Sequence, residues 1–224
     1  MVARLTVQTL AWFAGVGVLL FVAAGTLRWP GAWIYLGGMV GLSVAGGLWL
    51  GARDPALLKE RLGGLVRRDQ MPQDRVLMAV FVALYAAWLV CMGLDGRFSW
   101  SSVPAWVQVL GGLAILLSLW VGLLALRVNS FAAPVVRVQR ERGHVVVTSG
   151  PYRCVRHPLY AGAIAYLVGT PLLLGSWWGL VFVPVLTALL GRRALLEEQL
   201  LTAELQGYED YAVRVRYRLV PLIW

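Results

Sequence analysis

A short polar segment at residues 150–162 contains the first side chains that could do chemistry. It reads Gly-Pro-Tyr-Arg-Cys-Val-Arg-His-Pro-Leu-Tyr-Ala-Gly, with Arg156 and His157 directly before Pro158. Proline suits the first turn of a helix, so this is where a loop is predicted to become a helix. The free N–H groups and partial positive charge of a helix N-terminus favour a ligand carboxylate or phosphate. The alternative interpretation is that Arg153, Arg156 and His157 only mark a membrane boundary.

Two adjacent carboxylates, Glu197 and Glu198, form the second group, at the end of a long apolar stretch. Carboxylates near lipid are costly unless they are paired. Arg193 lies four residues before Glu197 on the same helix face, which allows an ion pair within the helix. One interpretation is that these charges anchor the end of the helix. The other is a binding site, beside the bilayer, for a cationic or hydroxyl-bearing ligand.

The composition indicates what surrounds these groups. Of the 224 residues, 59% are hydrophobic and only 14% are charged, and the mean hydropathy is +0.72. A soluble domain has about 45–50% apolar and about 25% charged residues, so we expect an integral membrane protein. This excludes a disordered protein, a secreted disulfide scaffold and an ordinary soluble enzyme. Cys91 and Cys154 form no CxxC pattern, and no metal site is predicted.

Apolar runs predict an all-α chain with about six transmembrane helices, the last two forming a short hairpin. A span needs about 20 apolar residues. The predicted spans are 5–27, 31–51, 76–94, 104–126, 159–174 and 177–193, with helical character continuing over 197–204. Seven glycines in 31–51 suit close helix packing in lipid. Asp54-Pro55 predicts a short interfacial helix over 55–62, and Asp95-Gly96 predicts a turn.

The positive charges predict the orientation. With six spans and both termini inside, 18 of the 20 Lys and Arg residues lie in inner segments, and only Arg28 and Arg97 lie outside. Positive charges favour the cytoplasmic side, which explains the net charge of +9 without nucleic-acid binding. We therefore expect an N-in, C-in protein of a bacterial inner membrane whose polar groups face the cytoplasm. Residues 1–128 would hold the N-terminal spans and an interfacial loop 53–75, and residues 129–224 a core with a loop, a hairpin and a basic tail.

The C-terminal core carries a longer motif than either group alone. The pattern Gly-Pro-Tyr-x-x-x-Arg-His-Pro-x-Tyr-x-Gly, a hydrophobic hairpin, Glu-Glu, Gly-Tyr-x-x-Tyr and a basic tail resembles the isoprenylcysteine carboxyl methyltransferase family. The resemblance covers residues 129–224, and residues 53–62 also look like bacterial members. The family belongs to a wider group of integral-membrane methyltransferases that includes phospholipid N-methyltransferases. The sequence has no G-x-G-x-x-G turn after a strand, which argues against a Rossmann-type methyltransferase.

The resemblance implies S-adenosylmethionine as methyl donor, with S-adenosylhomocysteine as product, bound on the cytosolic side. The implied cofactor-binding residues are Gln139, His144, Val145, Val146, Val147, Tyr152, His157, Pro158 and Tyr160, with a carboxylate of Glu197 or Glu198. The implied catalytic residues are Glu197 and Arg193, and Arg193 would orient the carboxylate of the acceptor. The implied acceptor is a lipid-like or prenylated molecule from the bilayer, and we expect glycine-rich spans to open a lateral groove for its chain.

Other functions stay open at the level of the sequence. A phospholipid amine N-methyltransferase would use Glu197 or Glu198 as a base, because an amine must lose a proton. A small-thiol S-methyltransferase is a further enzymatic alternative. A non-catalytic membrane protein, such as a channel subunit or an assembly factor, should carry polar residues along a path through its spans, and the first four spans hold almost none. The sequence identifies neither the methyl acceptor nor the oligomeric state.

Overall fold

Helices form nearly all of the regular structure of the chain. The computed structural model describes residues 1–64 and 70–224, and within these ranges it contains eight α-helices and no β-strand. The helices are α1 (Val2–Ala24), α2 (Pro30–Arg53), α3 (Pro55–Arg61), α4 (Pro72–Phe98), α5 (Ala105–Val128), α6 (Pro158–Leu174), α7 (Val183–Glu204) and α8 (Tyr208–Arg214). Three 3₁₀ turns, Arg140–Arg142, Gly150–Arg153 and Trp178–Phe182, lie in the C-terminal half. The all-α prediction is confirmed for this part of the chain.

Five stretches of the described chain are long and apolar enough to cross a membrane. They are α1, α2, α4, α5 and the continuous segment Trp178–Glu204, which contains α7. At most 33% of the residues in the most apolar part of each stretch are buried, so most side chains there face outward, as lipid contact requires. The apolar helix α6 has only 17 residues, a length of about 26 Å. The chain is thus an integral membrane protein, whereas the count of six spans stays a prediction.

The short helix α3 forms where Asp54-Pro55 predicts it. The Asp54 side chain accepts a hydrogen bond from the N–H of Leu57 at 2.9 Å, and Pro55 occupies the first turn. Leu57 and Leu58 are buried against the ends of α1 and α2. Within the predicted interfacial loop 53–75, residues 65–69 lie outside the described residues.

The predicted turn at Asp95-Gly96 is wrong, because α4 continues to Phe98. Asp95 is buried, and its carboxylate accepts hydrogen bonds from the N–H of Ser101 at 2.8 Å, from the hydroxyl of Ser101 at 2.6 Å and from the hydroxyl of Ser176. A carboxylate that is satisfied within the fold has no need of a turn to reach water. Asp95 therefore ties the α4–α5 connection to the α6–α7 connection.

The last apolar stretch is a helical hairpin whose second arm includes the predicted extension over residues 197–204. α6 ends at Gly175, whose φ of 83° is the left-handed conformation that glycine adopts easily. The second arm starts with the 3₁₀ turn Trp178–Phe182 and continues without a break as α7 to Glu204, beyond the predicted end of the span at residue 193. The predicted helical character over 197–204 is confirmed. One continuous helix therefore carries both Arg193 and the two carboxylates.

Glycines of α5 and α6 bring these two helices into close contact. A Cβ at Gly111 would lie 2.5 Å from the backbone nitrogen of Leu173, and a Cβ at Gly169 would lie 2.5 Å from the backbone oxygen of Gly111. Only glycine fits at such a separation. Four glycines of α2, by contrast, would bring a Cβ within 4 Å of no described atom: Gly37, Gly38, Gly41 and Gly46. Within the described chain, these four glycines therefore do not bring α2 close to another helix.

Aromatic side chains form the centre of the bundle. Trp88 of α4 is fully buried and donates a hydrogen bond to the carbonyl of Gly179 at 2.8 Å. Tyr35 of α2, Tyr85 of α4 and Tyr166 of α6 bring their hydroxyl groups together, with the Tyr85 and Tyr166 oxygens 2.8 Å apart. Buried hydroxyl groups are costly unless they are hydrogen-bonded, so this group holds three helices in register. The bundle thereby fixes the ends of α6 and α7 that carry the polar groups.

Candidate functional site

A cavity lies where the loop before α6, the start of α6 and the end of α7 meet. It encloses about 780 Å³ of space, part of which is open to solvent. Its walls come from residues 129–147, from the first residues of α6, and from the end of α7 together with α8. The residues selected from the sequence that line it are His144, Val145, Val146, Val147, Tyr152, His157, Pro158, Tyr160 and Glu197. The structure therefore brings most of the predicted site residues together.

His157 and Tyr160 form an aromatic wall at the start of α6. Pro158 opens this helix, as the sequence predicts, and His157 is the residue before it. The two rings stack with their centroids 5.4 Å apart and 10° between their planes. The Tyr160 hydroxyl donates a hydrogen bond to Oε2 of Glu197 at 2.8 Å. The aromatic wall thus joins α6 to α7 at the cavity.

The adjacent carboxylates Glu197 and Glu198 have different partners. Glu197 lines the cavity, and its side chain is 32% exposed. Glu198 is only 12% exposed and is not part of the cavity lining. Its carboxylate accepts hydrogen bonds from Arg156 at 2.7 Å and Arg218 at 2.9 Å, and Nε2 of His157 lies 3.1 Å away. Glu197 is therefore the carboxylate that a ligand in the cavity can reach.

Glu198 fastens the C-terminal tail to the back of the aromatic wall. Besides its bond to Glu198, Arg156 donates through Nη1 to a carbonyl of α8 at 3.0 Å. The backbone N–H groups of Arg156 and His157 donate to the carbonyls of Tyr217 and Arg218, both at 2.9 Å. A carboxylate surrounded by guanidinium groups makes short, charge-assisted hydrogen bonds. This cluster holds α8 and the tail against the cavity.

Gln139 supports the cavity wall without reaching the cavity. Its side chain is fully buried, donates to the carbonyl of Phe131 at 2.7 Å and accepts from Arg142 at 2.6 Å. The ring of His144 stacks on Phe131 with a centroid distance of 4.4 Å. Burial lowers the pKa of His144 below its ordinary 6.5, although the Glu197 carboxylate acts in the opposite direction. His144 therefore lines the cavity as a neutral ring at pH 7.

Arg193 lies beside the cavity rather than in its lining. Its Nε donates to Oδ1 of Asp74 at 2.8 Å, and its Nη2 donates to the carbonyl of Pro134. The ion pair with Glu197 that the four-residue spacing allows does not form among the described residues, because Asp74 takes the guanidinium instead. The guanidinium carbon lies 5.7 Å from the centroid of the Tyr160 ring. Arg193 is thus packed against the aromatic wall.

Arg193 also lines a second, smaller depression with about 330 Å³ of space, part of it open to solvent, which we name the α4–α7 groove. Apart from Arg193, the groove is lined by apolar side chains of the two helices: Leu77, Met78, Phe81, Leu189 and Leu190. The contact between Arg193 and Tyr160 therefore connects an apolar groove to a polar cavity.

Further residues that sequence reasoning did not select also line the cavity, among them Asn129, Phe131, Tyr208 and Tyr211. Asn129 donates to the hydroxyl of Tyr152 at 2.8 Å, and the Tyr211 hydroxyl donates to the carbonyl of Tyr152 at 2.9 Å. The Tyr208 hydroxyl is buried and has no hydrogen-bond partner in the described part of the chain. Burial raises the pKa of Tyr208, and raises that of Tyr211 to about 12, so both hydroxyls stay protonated. The Gly-Tyr-x-x-Tyr motif was a signal for both tyrosines, whereas no motif marks Asn129 or Phe131.

Comparison with known proteins gives these residues a family context. Residues 106–207, from the start of α5 to the residue before α8, match the family model described as phospholipid methyltransferase. The chain is 36% identical over 91 residues to a protein-S-isoprenylcysteine O-methyltransferase of Schizosaccharomyces pombe. It is 35% identical over 107 residues to a protein of the same name from Saccharomyces cerevisiae. It is 36% identical over 83 residues to a probable protein-S-isoprenylcysteine O-methyltransferase of Oryza sativa subsp. indica.

These matches cover part of each protein. They include 40%, 46% and 36% of this chain, and 38%, 44% and 44% of the three relatives. The chain therefore matches less than half of the length of these curated relatives. The matched family segment contains α6, α7 and the loop that forms the cavity. Residues 106–207 are thus similar to the phospholipid methyltransferase family, and the resemblance of this chain to the isoprenylcysteine carboxyl methyltransferases is confirmed.

Proposed function

We propose that this chain is an integral-membrane methyltransferase that uses S-adenosylmethionine to methylate a carboxylate on a hydrophobic acceptor, as in isoprenylcysteine O-methylation. The observation that carries the proposal is the contact between Arg193 and Tyr160, at 5.7 Å, between an apolar groove and a polar cavity. A polar donor and an apolar acceptor need two different compartments that meet at one point. The family match of residues 106–207 supports the same reaction class.

The cavity fits S-adenosylmethionine in the groups it offers. The donor is a cation that also carries hydroxyl, amino and carboxylate groups. Glu197 supplies a negative charge, and the faces of Tyr160 and His157 attract a cation. The buried hydroxyl of Tyr208 has no partner among the described residues, and a buried polar group of this kind is normally satisfied. A ligand with polar groups at its edge would give the Tyr208 hydroxyl its hydrogen bond.

The residues proposed to hold the cofactor are the predicted ones that line the cavity. They are His144, Val145, Val146, Val147, Tyr152, His157, Pro158, Tyr160 and Glu197. We assign Gln139 and Glu198 a supporting part instead, because Gln139 holds Phe131 and Glu198 holds the tail. When bound, S-adenosylmethionine supplies an electrophilic methyl group on a sulfonium.

The remaining work in the proposed reaction is alignment. A carboxylate acceptor is already ionised at pH 7, so it needs orientation and dry surroundings rather than a base. Arg193 can hold one oxygen of that carboxylate through a charge-assisted hydrogen bond while the other attacks. The aromatic wall of His157 and Tyr160 gives the cavity an apolar face. Glu197 holds the cationic side of the donor and does not act as a base.

The acceptor chain is proposed to lie in the α4–α7 groove. The groove is lined by apolar side chains and by Arg193, so a chain in it would bring its polar end close to the Arg193 side chain. The glycine-rich face of α2, which the sequence suggested as a groove, is not part of this lining. Phe81 of α4 and Leu190 of α7 would contact the chain. The acceptor is then a lipid-like or prenylated molecule drawn from the bilayer.

The proposed topology has six spans, with both termini and the cavity on the cytoplasmic side of a bacterial inner membrane. The support is the distribution of charge, since 18 of 20 Lys and Arg residues fall in segments that this topology makes internal. The cavity is built from two of these segments, residues 129–147 and the end of α7 with α8. In this topology α6 is a short span of about 26 Å, against a hydrocarbon thickness of about 30 Å.

Methyl transfer to a prenylated carboxylate tests the proposal directly. The full chain, purified in detergent, is incubated with S-adenosylmethionine labelled in its methyl group and with N-acetyl-S-farnesyl-cysteine. We expect label in the lipid fraction that base treatment releases as methanol, because a methyl ester is base-labile and N-methyl and S-methyl products are not. The amide of the same acceptor is the matched control and should receive no label.

Two results would overturn the proposal in different ways. Base-stable label on phosphatidylethanolamine or on a small thiol, with none on the prenylated carboxylate, would assign the enzyme to an amine or a thiol acceptor. A folded protein that neither transfers methyl groups nor binds S-adenosylhomocysteine would exclude the enzymatic function. That result would favour a non-catalytic membrane protein.

A further inference from the structure

We propose that Asp74, at the start of α4, is a positioning residue that sets Arg193 against the aromatic wall of the site. The inference rests on the proposed function, since it gives Arg193 the task of orienting the acceptor. Asp74 lies outside the family-matched residues 106–207. No motif in the sequence drew attention to it.

The Asp74 carboxylate is fully buried and uses both oxygens. Its Oδ1 accepts a hydrogen bond from Nε of Arg193 at 2.8 Å. Its Oδ2 accepts from the side chain of Gln70 at 2.7 Å and from the backbone N–H of Val136 at 3.2 Å. A buried carboxylate with this many donors has one orientation, and so does the guanidinium that it holds.

Asp74 thereby connects two walls that come from distant parts of the chain. Val136 belongs to the loop before α6, whose residue Val135 lines the cavity. Arg193 belongs to α7 and donates in addition to the carbonyl of Pro134 in the same loop. Both members of the Asp74–Arg193 pair therefore bond to the backbone of this loop.

The same pair determines where the charge of Arg193 lies. With Nε bound to Asp74, the guanidinium carbon sits 5.7 Å from the centroid of Tyr160. The Tyr160 hydroxyl in turn donates to Glu197 at 2.8 Å. An arginine freed from Asp74 would have several rotamers, and a displacement of about 1 Å can reduce a rate by about 10²-fold.

A purely structural ion pair is the competing explanation, and it predicts a different pattern. Buried ion pairs contribute little net stability, because the desolvation of both charges offsets their attraction. A structural pair would affect folding, binding of either substrate and turnover together. A positioning pair affects the acceptor and turnover, and it leaves binding in the cofactor cavity largely unchanged.

The test compares Asp74→Asn with Asp95→Asn in the full-length protein. Asp95 is a matched control, because it is also a buried aspartate of α4 but it bonds to Ser101 and Ser176 at the other end of the helix. For each variant we would measure kcat and KM for N-acetyl-S-farnesyl-cysteine, Kd for S-adenosylhomocysteine, and Tm. Arg193→Gln and the double variant Asp74→Asn/Arg193→Gln complete a double-mutant cycle.

Asp74→Asn should lower kcat/KM for the acceptor by at least about tenfold. Its Kd for S-adenosylhomocysteine should stay within about twofold of the wild-type value, and Asp95→Asn should keep kcat/KM within the same margin. Because Asp74 acts through Arg193, the double variant should be no slower than Arg193→Gln alone. If Asp74→Asn does not fold, Asp74→Glu is used, which keeps the charge but lengthens the side chain. This variant should likewise lower kcat/KM for the acceptor and leave Kd for S-adenosylhomocysteine nearly unchanged.

Wild-type kinetics in Asp74→Asn would overturn the inference while the proposed function stands. The inference would also be overturned if the decreases in kcat/KM of the two single variants multiplied in the double variant. Equal decreases in kcat/KM for Asp74→Asn and Asp95→Asn would overturn it as well. A wild-type protein that neither binds S-adenosylhomocysteine nor transfers methyl groups would refute the proposed function itself. The positioning role of Asp74 would then be refuted too.

Discussion

Replacing Glu197 or Glu198 by glutamine distinguishes a carboxylate that contacts a ligand from one that contacts only the protein. Glutamine keeps the shape of the side chain and removes its charge. In Glu197→Gln, the amide oxygen can still accept the hydrogen bond that Tyr160 donates at 2.8 Å. A charged group contributes about 1.5–3 kcal/mol to ligand binding through its hydrogen bonds. Its loss corresponds to an increase of about 10- to 150-fold in Kd for S-adenosylhomocysteine. The free energy of unfolding should change by about 0.5 kcal/mol or less.

Glu198→Gln should give the opposite result. The Glu198 carboxylate is 12% exposed and faces the guanidinium groups of Arg156 and Arg218. Removing one partner of a buried ion pair costs about 3–5 kcal/mol, and the low end applies because glutamine keeps one acceptor oxygen. A loss of about 3 kcal/mol lowers Tm by about 6–12 °C in a protein of this size. Below that transition, the Kd for S-adenosylhomocysteine should stay within about twofold of the wild-type value.

Two measurements decide between the carboxylates. Calorimetric titration of S-adenosylhomocysteine into each detergent-purified protein gives Kd, at a temperature well below all the melting transitions. Thermal unfolding followed by tryptophan fluorescence gives Tm. If Glu198→Gln lost the ligand at unchanged Tm while Glu197→Gln bound it normally, the assignment of Glu197 to the cavity would be refuted.

Two further predictions concern the loop and the helix packing. Burial lowers the pKa of His144 below 6.5, so its stability contribution is present above that pH and is lost as pH falls through the lowered value. His144→Gln should therefore flatten the decline of Tm below pH 6.5, and an equally steep decline in both proteins would contradict this. Gly169→Ala directs a Cβ to 2.5 Å from the oxygen of Gly111 and should destabilise the protein by about 1–3 kcal/mol. Gly37→Ala, with no described atom within 4 Å, is its control, and equal shifts in Tm would mean that α5 and α6 do not pack closely.

The membrane helices were predictable because their signals are local. An apolar run over 31–51 corresponds to a helix over Pro30–Arg53, and the dipeptide Asp54-Pro55 marks the start of α3. The end of α4 was not predictable in this way. Asp95 is satisfied by Ser101 and by Ser176, which is 81 residues away in sequence. A polar residue that is satisfied by a distant partner looks like the end of a span in the sequence alone.

The same distinction applies to the site. His157 and Tyr160 lie three residues apart in one motif, so their common face follows from helix geometry. Arg193 and Glu197 also share a helix face, but the partner of Arg193 is Asp74, 119 residues earlier in the chain. Sequence spacing suggests which pairs within a helix are close, and it contains no information about a competitor from another helix. The catalytic roles and the division of the chain at residue 128 stay predictions.

In the proposed reaction, α7 itself sets the distance between a water-soluble donor and a membrane-bound acceptor. Leu189 and Arg193 line the α4–α7 groove, and Glu197 lines the cavity. From Leu189 to Glu197 the helix axis rises by about 12 Å, or about two turns. Because one rigid helix carries all three residues, a movement of α7 shifts groove and cavity together and preserves their separation. The variable part is the direction of the Arg193 side chain, which explains why a residue outside α7, Asp74, is needed to hold it.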